Sequence, residues 1–169
     1  MIRNNRKSLL AAALMFAASS AAFALESDRN QPIQIEADQG SLDQKNQNTT
    51  FSGNVIVKQG SMYIQAGTVA VSKDKSGQQH MNARGNPVKF GQQLEKNGKV
   101  DGQANQVEYS SATGVVVLTG NAKITRGGDM ASGNVITYNT RTEVYTVSGN
   151  KNATSKTGRR VSVVIQPNK

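Results

Sequence analysis

Few residues of this chain have the types and spacing for chemistry. His80 lies in the polar stretch Ser76-Gly-Gln-Gln-His80 and is the only histidine in the sequence. A zinc centre needs three or four His, Cys or carboxylate ligands converging on one point. With no cysteine and no second histidine, His80 reads as a solvated loop residue. Glu36 and Asp38 stand two residues apart, so on a strand they share one face, opposite Ile33 and Ile35. Paired carboxylates can do acid/base work on a glycosidic bond, but a solvent face followed by a turn accounts for these two more simply. Asp38 and Asp43 bracket Ser41-Leu42 and read as turn formers. Gly127-Gly128 precedes no helical pattern, so it is no phosphate cradle. The sequence offers no catalytic constellation, no metal ligands and no cofactor motif, and the chain reads as a non-enzyme.

Strands are the elements that must position whatever the chain does use. Apolar residues alternate at Ile33, Ile35 and Ala37, at Phe51, Gly53, Val55 and Val57, and at Met62, Ile64 and Ala66. Further sets are Val69 and Val71, Val88 and Phe90, Val107 and Tyr109, and then Leu118, Ala122 and Ile124. Val135 with Thr137, Val144 with Thr146, and Val161, Val163 and Ile165 complete the pattern. Period two is the strand period. Val115 to Leu118 and Val161 to Ile165 are apolar on both parities, which suits a strand buried on both faces or one at an interface. Three prolines leave the strands little interrupted.

A marker recurs with the pattern. Of the Gly-Asn pairs, those at Gly53, Gly85, Gly120 and Gly149 are spaced 32, 35 and 29 residues apart. A small residue precedes each unit: Ala37, Ala66, Ala104 and Ser132. Phe51-Ser-Gly-Asn-Val55 aligns with Leu118-Thr-Gly-Asn-Ala122 at an offset of 67, which Ala37 and Ala104 share, so one half resembles a duplicate of the other. Units too short to bury a core alone must stack and share an interior. The expected fold is all-β: a single twisted β-jelly roll, or solenoid-like stack of antiparallel strands, with open ends.

The N-terminus carries an address. Arg3, Arg6 and Lys7 precede an apolar run, Leu9 to Ala18, that is too short to span a bilayer. Ala22-Phe23-Ala24 is a small-x-small cleavage site. Residues 1–24 read as a cleaved Sec signal peptide, 25–31 as a flexible N-terminus, and 32–167 as the β domain. Cleavage removes three of the 20 basic residues and none of the 11 acidic ones, leaving 17 against 11, a net charge of +6. The surplus is scattered. Export and sparse aromatics argue against nucleic acid as a partner, and the missing tryptophan argues against the aromatic girdles of an outer-membrane barrel.

Two readings of the interior stay open. Its inward residues are mostly Val, Ile and Ala, which fit either a narrow filled core or a groove able to take acyl chains. In the first case the chain is a structural or glycan-binding periplasmic β-solenoid. The ends are plainer. Neither the first strand, Ile33 to Ala37, nor the last, Val161 to Ile165, looks like a polar cap, and open edges invite strand addition.

Several stretches resemble a known family. They are Gln31-Pro-Ile-Gln-Ile-Glu-Ala-Asp38, Ser41-Leu-Asp43, Phe51-Ser-Gly-Asn-Val-Ile-Val-Lys-Gln-Gly60, Gly85-Asn-Pro-Val-Lys-Phe90, Asn97-Gly98, Val116-Val-Leu-Thr-Gly-Asn-Ala122 and Gly158-Arg-Arg-Val161. Together they are similar to the OstA-like (LptA) family of periplasmic lipopolysaccharide-transport bridge proteins. The resemblance implies a twisted β-jelly roll whose apolar groove shields lipid A acyl chains on the way from the inner to the outer membrane. It implies lipopolysaccharide as ligand, with Ile33, Ile35, Phe90 and Tyr109 in the lipid path. It also implies an inner-membrane bitopic component at the N-terminal edge (Ile33, Ile35, Ala37). The periplasmic domain of the outer-membrane translocon belongs at the C-terminal edge (Val161, Val163, Ile165), and copies stack head to tail. Energy comes from elsewhere, so no cofactor is expected.

Overall fold

The computed structural model describes residue 28 and residues 30–94, 98–150 and 160–167. The signal peptide expected at residues 1–24 therefore lies outside the described residues. Among those described, the chain forms ten strands: β1 (Gln34–Glu36), β2 (Gln39–Asp43), β3 (Asn48–Gln59), β4 (Met62–Lys73), β5 (Gln79–Gln93), β6 (Lys99–Ser110), β7 (Val115–Arg126), β8 (Asp129–Asn139), β9 (Val144–Ser148) and β10 (Ser162–Val164). Every pairing is antiparallel, and from β3 to β8 neighbours in sequence are neighbours in the sheet. Short connections and period-two patterning dictate such a meander.

Each long strand breaks register at its middle. The skipped residues are Gly53-Asn54 in β3, Gly67 in β4, Gly85 to Pro87 in β5, Asn105 in β6, Gly120-Asn121 in β7 and Asn134 in β8. They form one crease across the sheet. Extra residues on one strand of a pair bend it and increase its twist, and a row of such bulges folds the whole sheet. One leaf holds β1, the halves nearest residues 57, 64, 90, 102, 124 and 131, and β10. The other holds β2, the halves nearest 50, 70, 82, 108, 117 and 137, and β9.

Two contacts establish that the leaves face each other. Phe90 of β5 and Tyr138 of β8 have ring centroids 6.0 Å apart, although in a flat sheet three strand spacings separate those strands by about 14 Å. Arg126 pairs with Asp129 at the start of β8, yet its Nη2 lies 2.5 Å from Glu143 Oε2, beyond the far end of that strand. An extended strand as long as β8 would hold the two about 30 Å apart. Between the leaves lies one apolar core, with Val57, Ile64, Val88, Phe90, Val107, Leu118, Ile124, Ile136 and Tyr138 fully covered.

The Gly-Asn marker thus signals a bent strand rather than the boundary of a stacked unit. At two of the four positions named above both residues take positive φ: Gly53 (80°) with Asn54 (46°), and Gly120 (76°) with Asn121 (50°). At Gly85 a cis Asn86-Pro87 bond takes part instead, and Gly149 lies just past the end of β9. The duplication is real at the level of elements. β3 and β7 begin and end 67 residues apart, and β4 and β8 begin 67 apart. Asp38 Oδ2 accepts a 2.9 Å bond from Asn54 Nδ2, and Asn105 Oδ1 one of 3.5 Å from Asn121 Nδ2, which are the same two positions in each copy.

Several sequence expectations change. The stretch around Ser41-Leu42, expected to be a turn, is the exposed edge strand β2. Asp43 still caps the turn between β2 and β3, accepting from the Asn46 amide (3.1 Å) and side chain (2.7 Å). In β8 and β9 the inward parity is the opposite of the expected one: Ile136 and Tyr138 are buried, Tyr145 and Val147 half-buried, and Val144 is exposed. Both parities of β8 carry apolar or β-branched side chains, so the alternation is ambiguous until β7 fixes the register. Within residues 25–31, expected to be flexible, Asp28 holds the β3–β4 turn through the Ser61 amide (3.1 Å) and hydroxyl. The Gln31 carbonyl accepts from Gln59 Nε2 at 3.2 Å.

Candidate functional site

The four positions expected to line a lipid path fall along one apolar interior. Phe90 is central. It registers with Ile64 on β4 and with Gly102 on β6, and the missing side chain at 102 leaves it room. A Cβ there would stand 3.5 Å from Phe90 Cδ1 and 2.9 Å from Leu118 Cδ2. Tilted 57° against Tyr138 of the facing leaf, the ring has no exposed surface. Tyr109 sits on the other leaf, level with Met81 and Val116, and is also buried. Ile35 lies on β1 opposite Val57, and Ile33 precedes that strand. Both are half-buried and pack against the core at its first end. Two of the four are therefore central, on opposite leaves, and two are terminal.

The interior changes character toward its ends. Ile33, Ile35 and Phe51 are half-buried where β1 and β2 lie, and Tyr145 and Val147 are half-buried where β9 lies. In between the core is covered throughout.

Sequence reasoning missed two polar atoms buried within this interior. Tyr138, 1% exposed, and Gln92, 5% exposed, keep their hydroxyl and Oε1 buried without a hydrogen-bond partner. Burial pushes the Tyr138 phenol up to about 12. The Glu143 carboxylate adds to that effect and the Arg126 guanidinium opposes it. Arg126 also donates from Nη1 to the Glu143 carbonyl at 3.3 Å, so the ion pair joins the leaves on the side away from the crease. No local signal marks Arg126 and Glu143, because 17 residues and a reversal of the chain separate them.

Each end of the sheet presents unpaired backbone. Among the described residues β1 and β2 pair only with β3, and β10 and β9 only with β8. At the first end β1 and β2 follow each other closely across the crease, whereas at the last end β9 and β10 come from separate stretches of the chain. Ile35 lies on β1, with Ile33 and Ala37 just outside it. Val163 lies on β10, flanked by Val161 and Ile165. Val161, Val163 and Ile165 are 41%, 54% and 75% exposed, a run of apolar side chains left uncovered. The doubly apolar Val115 to Leu118 stretch behaves differently. Val116 and Leu118 enter the core, while Val115 and Val117 line an outer concavity of about 690 Å³ with Thr50, Ala70, Asn82 and Glu108.

The residues with chemical potential do not converge. His80 Nε2 lies 3.8 Å from Asp74 Oδ2 on the surface. Asp38 sits at the crease, bonded to Asn54, whereas Glu36 is exposed on β1. Among the described residues no cluster of His, Asp or Glu could hold a metal.

Comparison with known proteins places this geometry. The family described as LptA/(LptD N-terminal domain) LPS transport protein matches residues 34–144, from β1 to the start of β9. Lipopolysaccharide export system protein LptA of Haemophilus influenzae is 39% identical over 162 residues, spanning 94% of this chain and 91% of that protein. The LptA of Escherichia coli K12 is 39% identical over 162 residues, spanning 94% and 84%. Lipopolysaccharide export system protein LptH of Pseudomonas aeruginosa is 32% identical over 154 residues, spanning 89% and 88%. The crystal structure of LptH, described as the LptA homologous periplasmic component of the conserved lipopolysaccharide transport device of that organism, superposes with a TM-score of 0.77. Identity there is 30%, covering 83% of this chain and 99% of that one.

Proposed function

The chain belongs to the LptA/(LptD N-terminal domain) LPS transport protein family, and on that premise we propose that it is a periplasmic lipopolysaccharide carrier that bridges the inner and outer membranes. The acyl chains of lipid A occupy the space between the leaves while the sugars stay in water. Each methylene removed from water contributes about 0.8 kcal/mol, so a folded apolar sheet holds such chains without any bond-making. The role is carriage rather than catalysis, and membership of a transport family supports that reading.

The observation that carries the proposal is the folded sheet itself: an apolar interior running between two ends whose edge strands are unpaired. Ile33 and Ile35 meet the lipid at the first end, and Phe90 and Tyr109 meet it farther in. The β1/β2 edge receives an inner-membrane bitopic component, and the β9/β10 edge receives the periplasmic domain of an outer-membrane translocon. Strand addition between the two kinds of edge joins copies head to tail.

Full coverage of Phe90 favours a second reading, in which the core is filled and the protein is a structural or glycan-binding element of the periplasm. Photo-cross-linking in cells separates the two. A photoreactive phenylalanine analogue replaces Phe90 in one strain and its exposed neighbour Lys89 in another. A lipopolysaccharide adduct at position 90 and none at 89 is the expected result. Adducts at neither position, in an exported and folded protein, would replace the carrier with the filled-core reading.

A further inference from the structure

We infer that Tyr138 and Gln92 form a polar station inside the apolar interior, which recognises an acyl chain bearing a hydroxyl or ester oxygen. The inference rests on the carrier reading and adds a specificity to it. Buried polar atoms without partners are disfavoured and uncommon in folded proteins. Here two of them, the Tyr138 hydroxyl and Gln92 Oε1, occur in one interior, whereas the buried Gln59 and Thr140 side chains donate to backbone carbonyls. Phenylalanine at 138 and leucine at 92 would fill similar space without that disadvantage.

Both side chains flank Phe90. The Tyr138 ring lies 6.0 Å from it on the facing leaf. Gln92 stands two residues farther along β5 on the same inward face, level with Val100 of β6. Their chemistry is complementary: a phenol donates and an amide oxygen accepts. The phenol keeps its proton at any physiological pH, since burial and Glu143 push it up to about 12. A hydroxyl on an acyl chain can accept from a phenol or donate to an amide oxygen, and an ester carbonyl can accept from the phenol alone. A plain hydrocarbon chain leaves both unpaired, so the interior distinguishes chains that carry oxygen from chains that do not.

The test uses 3-hydroxytetradecanoate and tetradecanoate as probes, with intact lipopolysaccharide as a control. Affinities are measured for the wild-type protein, Tyr138→Phe and Gln92→Leu, and each protein is also melted without ligand. The expected wild-type preference for the hydroxylated acid is about fivefold, the worth of one net hydrogen bond. Tyr138→Phe should abolish that preference, leave tetradecanoate binding unchanged, and melt no lower than wild type. Gln92→Leu should reduce the preference in the same direction. A wild type that binds both acids equally overturns this inference and leaves the carrier reading intact. So does a Tyr138→Phe variant that keeps the preference, or one that melts markedly lower, because its hydroxyl would then be satisfied in the free protein. A wild type that takes up neither acid nor lipopolysaccharide removes the carrier reading and this inference with it.

Discussion

Phe90 and Tyr138 join the two leaves at one point, so their truncation tests the core directly. Phe90→Ala should lower stability by about 3–5 kcal/mol, as a large buried ring replaced by a methyl does, measured by urea denaturation. Phe90→Asp should lower the melting temperature further, by burying a carboxylate with no partner. A loss below about 1 kcal/mol for the alanine variant would mean the space is already open to water. Tyr138 carries a pH signature. Its phenol ionises near 10.0 when unfolded and at about 12 in the fold, so the folded state holds the proton longer. Its stabilising effect is full below about pH 10 and disappears as the pH rises toward 12, a loss of roughly 2–3 kcal/mol. Tyr138→Phe should flatten that alkaline limb, and an unchanged limb would place the phenol in solvent. Phe90 and Tyr109 were legible as inward residues from alternation alone. Tyr138 was not, because Val135 and Thr137 offer an equally good alternation on the other parity.

Strands here are defined as much by where they bend as by where they run. Gly53 and Gly120 adopt positive φ at equivalent points of the two halves. A Cβ on Gly120 would lie 2.9 Å from Asn105 Nδ2, and one on Gly53 would lie 2.9 Å from the Asp38 Cβ. Gly120→Ala should therefore cost about 1–2 kcal/mol from the backbone alone, read by thermal or urea denaturation. A neutral result would show that the crease tolerates ordinary strand geometry. The sequence displayed the Gly-Asn pairs and their offset of 67 residues, but Gly-Asn marks a hairpin turn as readily as a bulge. The distinction depends on the partner strand, which local sequence does not record. The same limit hid β2. Gln39–Asp43 has both faces in water, so no apolar alternation announces it, and only pairing with β3 makes it a strand.

Over the whole molecule, the proposed assembly would rest on the two ends. In the proposed head-to-tail arrangement the exposed run at Val161, Val163 and Ile165 meets the β1/β2 edge of the next copy. Successive amides of a strand point to opposite sides, so of prolines at Val163 and Val164 one removes a donor from the β8 ladder and the other from the free edge. Both variants should shift concentration-dependent oligomers toward monomer in light scattering. An oligomer distribution matching wild type for both would refute pairing through this edge.

What the sequence by itself determined is the all-β class, the internal duplication and the apolar character of the interior and of the last strand. Each derives from side-chain type and period, which are local properties. Only the tertiary structure decided that the duplicated strands fold along a crease into two facing leaves. It also decided which parity of β8 and β9 turns inward, and that Arg126 meets Glu143 across the two leaves. Those outcomes rest on register and on long-range contact, where several pairings suit the same local pattern and the packing of the completed core selects one.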